Sequence, residues 1–233
     1  MDIKFLPKNA AVRIIPFTLF MVFIGIESMI HYCNTQGIIT LSSQQLLYFY
    51  PLKTIVVGLT IVVLFKHYSE IIFADLCYWR DTTLSIIIGL FISFLWINMD
   101  WTLVDIVEPI GFDPTIIADG HIRTAIIATR LVGAVVVVPI MEELFWRSFL
   151  LRYIIDPQFS KVAIGRFTWL SFISTCVLFG LEHHYIIAGI MAGTLFNLLL
   201  YRTRSIAQCI ISHAVANLAL GIYVLNSAQW RFW

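Results

Sequence analysis

The sequence predicts an all-α fold: a polytopic transmembrane bundle of about seven helices, or eight if Pro139 breaks the longest one, in a single domain over residues 1–233. Sixty per cent of the residues are hydrophobic, 12% are charged and the mean hydropathy is +0.88, a composition that soluble globular domains rarely have. The apolar residues form long runs without the alternation of barrel strands. Because lipid satisfies no backbone hydrogen bonds, such runs are expected to be helices.

Seven runs approach the length of roughly 20 residues that crosses a bilayer, and they cover residues 14–30, 46–65, 83–97, 122–151, 167–182, 185–201 and 206–226. Lysine and arginine accumulate in short cytoplasmic loops, and here they occupy alternate connections. These residues are Lys4, Lys8, Arg13, Lys66, Arg80, Arg152, Lys161, Arg166, Arg202 and Arg204. The pattern predicts a multi-pass protein with its N-terminus in the cytoplasm.

The net charge bears on which binding partners to expect, and the cysteine spacing bears on the role of the cysteines. The formal net charge of +1 and the absence of a basic cluster argue against a nucleic-acid partner, which needs clustered cations to neutralise phosphates. Membrane lipid and a peptide or protein substrate are the expected partners. The four cysteines, Cys33, Cys77, Cys176 and Cys209, have no CxxC spacing and are interpreted as small apolar residues.

Charged residues inside the apolar runs require an explanation, because a charge at the bilayer centre costs about 2.5 to 3.5 kcal/mol on insertion scales. Glu27, Lys53 and Arg130 lie at similar depths, near the outer ends of the first, second and fourth runs. Opposite charges at one depth neutralise each other, so these three are interpreted as a structural pairing.

A second group of polar residues carries groups typical of hydrolytic chemistry. Glu143 and Arg147 are four residues apart and share a helix face, so Arg147 can pair with Glu143. Glu142 points about 100° away and is free to act as a general base. Taken alone, a glutamate and an arginine four apart most often form a salt-bridged helix face.

Histidines on two further runs extend this group. His183 follows Glu182 at the end of the fifth run, and His213 and Asn217 are four residues apart in the seventh. Side by side on a helix, His213 and Asn217 could both donate hydrogen bonds to an oxyanion. A single histidine in a span is often structural, but elements on three separate helices favour a functional cluster.

These three elements resemble the motifs of the CAAX protease and bacteriocin-processing (CPBP) family. Residues 142–147 read Glu-Glu-Leu-Phe-Trp-Arg and match its EExxxR motif, Phe179 to His183 match FxxxH, and His213 to Asn217 match HxxxN. All three lie in the C-terminal half, about residues 122–226. Ser148, where many members have glycine, and Glu182, where a small residue is common, depart from the pattern. The chain is also similar to the bacterial CAAX-protease-related proteins associated with exosortase and PEP-CTERM sorting.

The resemblance implies an endopeptidase in a bacterial inner membrane that cleaves near a hydrophobic or lipidated C-terminal segment. Glu142 and His183 would activate water, His213 and Asn217 would stabilise the oxyanion, and Arg147 would support Glu143. The cofactor is either none or a divalent metal such as zinc, for which His183, His213 and Glu142 would be the ligands. The competing interpretations are a non-catalytic membrane scaffold or bacteriocin-immunity-type protein, and a transporter or proton relay.

The depth of His183 presents a difficulty for straight spanning helices. Glu142 and His213 both lie roughly 15 Å from the inner boundary, whereas His183 lies roughly 25 Å along its run. We therefore expect the fifth and sixth runs to form a hairpin whose tip, residues 182–185, stays inside the protein and lines a cavity. Gly189 and Gly193 would let the two helices pack closely.

Overall fold

The computed structural model describes residues 8–101 and 111–233, and all regular secondary structure in these ranges is helical. The described ranges contain seven principal helices: α1 Lys8–Thr35, α2 Ser43–His67, α3 Trp79–Asn98, α4 Gly120–Ile155, α5 Trp169–Leu181, α6 Ile186–Thr203 and α7 Ile206–Ser227. Lys4 and residues 102–110 of the acidic loop before α4 lie outside the described residues. Short 3₁₀ turns occur at Phe73–Cys77, Pro114–Ile116, Phe159–Lys161 and Trp230–Phe232.

The polytopic helical bundle predicted from the sequence is confirmed. Within the described ranges, six helices are long and apolar enough to cross a membrane, and α5 is a shorter apolar helix of 13 residues.

Several of these helices begin at a side chain that caps the first backbone N–H groups. Asp119 accepts hydrogen bonds from the backbone N–H groups of His121 and Ile122 and so caps α4, and Thr168 and Ser205 cap α5 and α7 in the same way.

Helix α4 is continuous, so the break at Pro139 that would have added an eighth span does not occur. Two π-helical stretches, Gly133–Val137 and Leu144–Leu150, widen the helix on either side of Pro139. The Val138 N–H donates to the Gly133 carbonyl five residues back. This wider turn accommodates a proline that lacks an N–H and would otherwise crowd the preceding turn.

Helices α5 and α6 form the expected tight hairpin. A Cβ atom on Gly189 would lie 2.8 Å from the Gly180 Cα, and one on Gly193 would lie 3.2 Å from the Phe179 ring. The two backbones therefore approach closely only because these positions lack side chains. The connection from α6 to α7 is equally short, since Arg204 adopts a left-handed conformation at φ 53° and Ser205 immediately caps the next helix.

Helix α7 lies at the centre of the bundle and packs along α3. A Cβ atom on Gly89 would come within 2.3 Å of the Ser212 carbonyl oxygen, so the small residue in α3 lets the α7 backbone approach at the level of His213. Apolar side chains from five helices surround this contact: Ile92, Trp146, Phe179, Ala192, Phe196 and Ala216. The resulting apolar shell encloses the polar groups described below.

A buried polar network at one end of the bundle includes two arginines that the sequence assigned to cytoplasmic flanks. Arg13 donates to both carboxylate oxygens of Glu70 at 2.6 Å, and Ser148 also donates to Glu70. Arg152 donates to the Ser148 hydroxyl at 2.9 Å. Arg13 and Arg152 are each only 6% exposed. Helix α1 therefore begins at Lys8, earlier than the predicted residue 14, because the Arg13 charge is neutralised within the fold.

Candidate active site

A cavity of about 390 Å³ opens between all seven of the described helices, with Phe179 as the contribution of α5. Four of the six predicted site residues line it: Glu142 from α4, His183 from the α5–α6 turn, and His213 and Asn217 from α7. The other two, Glu143 and Arg147, lie behind the wall, 0% and 1% exposed. The structure therefore brings the three motifs together around one cavity, and the shortness of α5 places His183 there. The rest of the predicted tip, residues 182–185, does not line the cavity, and His184 is exposed.

Glu143 connects the motif on α4 to the motif on α7. Its Oε1 atom accepts a hydrogen bond from Arg147 Nη1 at 3.0 Å and lies 2.9 Å from His213 Nδ1. A carboxylate oxygen only accepts hydrogen bonds, so Nδ1 of His213 carries the proton. Glu143 thereby orients the imidazole, and the second ring nitrogen, Nε2, faces Glu142.

Glu142 is held close to His213 without bonding to it. The distance from His213 Nε2 to Glu142 Oε2 is 3.9 Å, which is too long for a direct hydrogen bond. Glu142 Oε2 is buried and has no hydrogen-bond partner among the described residues. An uncommitted carboxylate oxygen in an apolar cavity is a strong acceptor for a hydrogen from a bound substrate or water.

His183 presents one nitrogen to the cavity and anchors the other. Its Nδ1 atom lies 2.7 Å from the carbonyl oxygen of Phe179, one helical turn earlier. A carbonyl only accepts, so Nδ1 carries the proton and Nε2 of the neutral ring has a free lone pair. The Trp96 ring packs edge-on against the imidazole at 5.3 Å, which fixes its plane.

Asn217 bonds to the backbone of α4 beside the π-helical turn. Its Nδ2 atom donates to the Ala134 carbonyl oxygen at 2.7 Å. In a π-helical turn that carbonyl would receive the N–H five residues later, but this position is Pro139, which has none. Asn217 therefore satisfies a carbonyl left unpaired by the proline, and the second hydrogen of its amide remains for another acceptor.

Arg147 makes aromatic contacts and a hydrogen bond that the sequence did not predict. Its guanidinium carbon lies 4.5 Å from the centre of the Phe179 ring and 5.1 Å from that of Phe196. Its Nε atom donates to Asn197 Oδ1 at 3.3 Å, and Asn197 in turn donates to Thr175 at 2.9 Å. Phe179 is the first residue of the FxxxH motif, so that aromatic position packs against both His183 and Arg147.

The expected pairing of Glu27, Lys53 and Arg130 is corrected in part. Lys53 Nζ pairs with Glu27 at 2.8 Å as expected, but Arg130 does not join this pair. Its guanidinium instead lies against the rings of Tyr50, Phe112 and Trp233, which supply cation–π attraction without a carboxylate. Glu182, which departs from the family pattern, accepts a hydrogen bond from Trp146 Nε1 at 3.1 Å.

The suggested zinc ligands do not form a metal-binding arrangement. Across residues 8–101 and 111–233, no three His, Cys, Asp or Glu side chains are grouped to hold a metal ion. The described residues therefore do not fit the suggested zinc site.

Comparison with known families agrees with the motifs. Residues 124–219 match the family model of type II CAAX prenyl endopeptidase Rce1-like proteins, and this region contains all six predicted site residues. Neither the curated proteins nor the solved structures gave a match. The exosortase-associated subfamily stays a prediction. With its apolar helices, the chain is an integral multi-pass membrane protein, and its region 124–219 is similar to the Rce1-like CAAX endopeptidases, which supports membership of the CPBP family.

Proposed function

We propose that the chain hydrolyses a peptide bond of a membrane-associated substrate, with a water molecule activated by Glu142 and His183. The observation that carries this proposal is the convergence of Glu142, His183 and His213, from three separate elements, on one cavity with apolar walls. General bases, an orienting carboxylate and hydrogen-bond donors around one enclosed space are the components of hydrolytic catalysis.

In the proposed first step, water binds between the free Oε2 of Glu142 and Nε2 of His183. One of these groups takes a proton while the water oxygen attacks the carbonyl carbon of the peptide bond. The attack forms a tetrahedral intermediate with a negatively charged oxygen. The apolar walls strengthen these interactions because they lower the local dielectric constant.

His213 and Asn217 are the proposed donors to that oxyanion. With Nδ1 bonded to Glu143, His213 can donate from Nε2 only as the imidazolium, and the Glu143 carboxylate stabilises this charged form, as the aspartate does in a serine-protease triad. The second amide hydrogen of Asn217 is the other donor. The proton taken from water is then delivered to the leaving amine, the C–N bond breaks, and the carboxylic acid and amine products form.

The lining of the cavity indicates the kind of substrate. Apart from the catalytic residues and the polar side chains of Lys53, Ser93 and Arg130, its walls are mainly apolar, formed by Phe20, Ile24, Ile92, Val138 and Leu220 among others. Such walls favour aliphatic or aromatic side chains, or a lipid chain attached to the peptide. We therefore propose a hydrophobic or lipidated segment near the membrane as the substrate.

The proposed activity is tested with purified protein and a panel of fluorogenic peptides, matched in sequence and differing only in whether a cysteine carries a prenyl chain. Cleavage by the wild type that persists with a chelator and is lost in Glu142→Gln supports a metal-free mechanism. If the chelator abolishes cleavage and added zinc restores it, the metal-free mechanism is overturned. A scaffold or immunity role predicts no cleavage, together with unchanged biological activity of Glu142→Gln in cells.

We also propose a bacterial inner membrane with a cytoplasmic N-terminus, on the basis of the alternating lysine and arginine residues. Cys77 is exposed in the connection between α2 and α3, which this topology places in the cytoplasm. A membrane-impermeant maleimide applied to intact spheroplasts is expected to leave Cys77 unlabelled until the membrane is permeabilised. Labelling of Cys77 in intact spheroplasts would reverse the topology.

A further inference from the structure

The end of the cavity far from Glu142 contains two cations with different partners. Lys53 and Arg130 both line this end. Lys53 is neutralised by Glu27, since its Nζ lies 2.8 Å from Oε2. Arg130 has no carboxylate within ion-pair distance among residues 8–101 and 111–233, and its Nε is buried without a hydrogen-bond partner in those ranges. One positive charge at this end therefore remains uncompensated there.

Aromatic rings hold the Arg130 guanidinium, and among the described residues none of its N–H groups has a side-chain acceptor. The guanidinium carbon lies 4.1 Å from the centre of the Tyr50 ring, 5.0 Å from Phe112 and 5.9 Å from Trp233. Ring faces attract the cation but accept none of the in-plane N–H bonds as a carboxylate would. Because a guanidinium presents its donors in a planar fork that matches a carboxylate or phosphate, Arg130 is positioned and unsatisfied at the same time.

We propose that Arg130 is a specificity-determining residue that binds a carboxylate of the peptide substrate, and that its source is the free α-carboxylate at the C-terminus. This inference depends on the proposed peptidase function. Burying a carboxylate in this cavity without a cation would be costly, whereas Arg130 supplies both the charge and the hydrogen bonds. Lys53, already paired, lacks this capacity.

The position of Arg130 limits where cleavage takes place. Arg130 precedes Glu142 by twelve positions on α4, which corresponds to roughly 18 Å along the helix axis. An extended peptide covers that length with about five residues. A substrate held by its terminal carboxylate at Arg130 is therefore cut within about five residues of its C-terminus.

The test compares three peptides of one sequence: one with a free C-terminal carboxylate, one with a C-terminal amide, and one with the amide and a glutamate as last residue. For the wild type, amidation is expected to raise KM about ten- to a hundredfold, the range for hydrogen bonds to a charged group, with little change in kcat. In Arg130→Gln the ratio of the two KM values should fall to about one, and in Arg130→Lys it should be intermediate. If the glutamate peptide regains the low KM, a side-chain carboxylate is an equivalent source.

Two controls guard against a general loss of structure or charge. For each variant, the KM of the amide peptide is divided by the KM of the acid peptide. Because partial unfolding affects both KM values equally, it does not change this ratio. Arg202→Gln removes a positive charge that is 67% exposed and lies outside the cavity, and it should keep the wild-type ratio. An amide-to-acid ratio in Arg130→Gln equal to that of the wild type overturns the proposal.

Binding separates this inference from the failure of the peptidase proposal. Fluorescence anisotropy of labelled peptides with Glu142→Gln measures affinity without turnover. Tighter binding of the acid than of the amide, lost when Arg130→Gln is added, supports the carboxylate site even if no peptide is cleaved. Added phosphatidylglycerol could instead weaken the binding of the acid and amide peptides equally, and lose this effect in Arg130→Gln. Arg130 would then bind a lipid phosphate, and the proposal fails.

Discussion

Nδ1 of His213 lies 2.9 Å from Oε1 of Glu143, and this hydrogen bond joins α4 to α7 at the wall of the cavity. The same oxygen accepts from Arg147 at 3.0 Å. Glu143 therefore serves two groups, a buried cation that needs a counter-charge and an imidazole that needs a fixed orientation. Mutations can separate the role of Glu143 as counter-charge to Arg147 from its role in orienting His213.

Glu143→Gln is expected to impair both stability and catalysis. It leaves Arg147 buried without a carboxylate, which costs about 3 to 5 kcal/mol, and it removes the group that stabilises the His213 imidazolium, which should lower kcat by about a hundredfold or more. Adding Arg147→Met removes the orphan charge, so thermal unfolding should recover while kcat does not. Recovery of kcat together with stability would show that Glu143 is only structural.

Asn217 is expected to stabilise α4 through the carbonyl that Pro139 leaves unpaired. Asn217→Ala should lower the free energy of unfolding by about 1 to 3 kcal/mol, because the Ala134 carbonyl loses its donor. Pro139→Ala restores a backbone N–H to α4, so the double variant should recover part of this loss in thermal unfolding. Its kcat should stay low if the Asn217 amide also contacts the oxyanion. A double variant with wild-type kcat would exclude that contact.

The glycine contact in the α5–α6 hairpin should control the position of His183. A Cβ atom on Gly189 would lie 2.8 Å from the Gly180 Cα and 3.3 Å from the His183 Cβ, so Gly189→Ala pushes the hairpin apart. We expect kcat to fall about tenfold or more and the melting temperature to decrease. Gly25→Ala is the matched control, because its Cβ meets nothing within 4 Å and alanine favours a helix. Equal effects of the two variants would contradict the contact.

The network of Glu70 predicts an acid-dependent loss of stability. Burial raises the pKa of the Glu70 carboxyl, but hydrogen bonds from Arg13 and Ser148 outweigh it and hold this pKa below the usual 4.5. A carboxyl whose pKa is lower in the folded state contributes stability above its unfolded pKa and loses that contribution as pH falls through the folded value. The melting temperature of the wild type should therefore drop below about pH 4 by more than that of Glu70→Gln. Parallel curves would contradict this role.

The sequence predicted the parts of the fold that depend on local composition. Apolar runs located all seven helices, and spacing on single helices paired Glu143 with Arg147. The start of α1 was missed because Arg13 is partnered by Glu70, 57 residues away, and no local signal reveals that pair. Arg130 was assigned a carboxylate partner, whereas Tyr50, Phe112 and Trp233 come from three distant segments whose meeting depends on the tertiary fold.

For the candidate site, as for the fold, only some features could be predicted from the sequence. The motifs indicated residues that the structure brings together around one cavity, and the depth mismatch of His183 indicated that this histidine, at a hairpin tip, must enter the protein. The hydrogen bond from His213 to Glu143 and the support of the Ala134 carbonyl by Asn217 were not predictable. Both depend on the register between α4 and α7, which the glycine at position 89 and the π-helical turns set through backbone contacts.

The most direct measurement is the rate of peptide cleavage by Glu142→Gln beside Glu182→Gln. Both substitutions remove a carboxylate from the same region, but Glu142 lines the cavity with a free oxygen, whereas Glu182 accepts a hydrogen bond from Trp146. We expect kcat to fall by about a hundredfold to ten-thousandfold in Glu142→Gln and to stay within about tenfold of the wild type in Glu182→Gln. Cleavage by Glu142→Gln at the wild-type rate would contradict the assignment of Glu142 as the base that activates water.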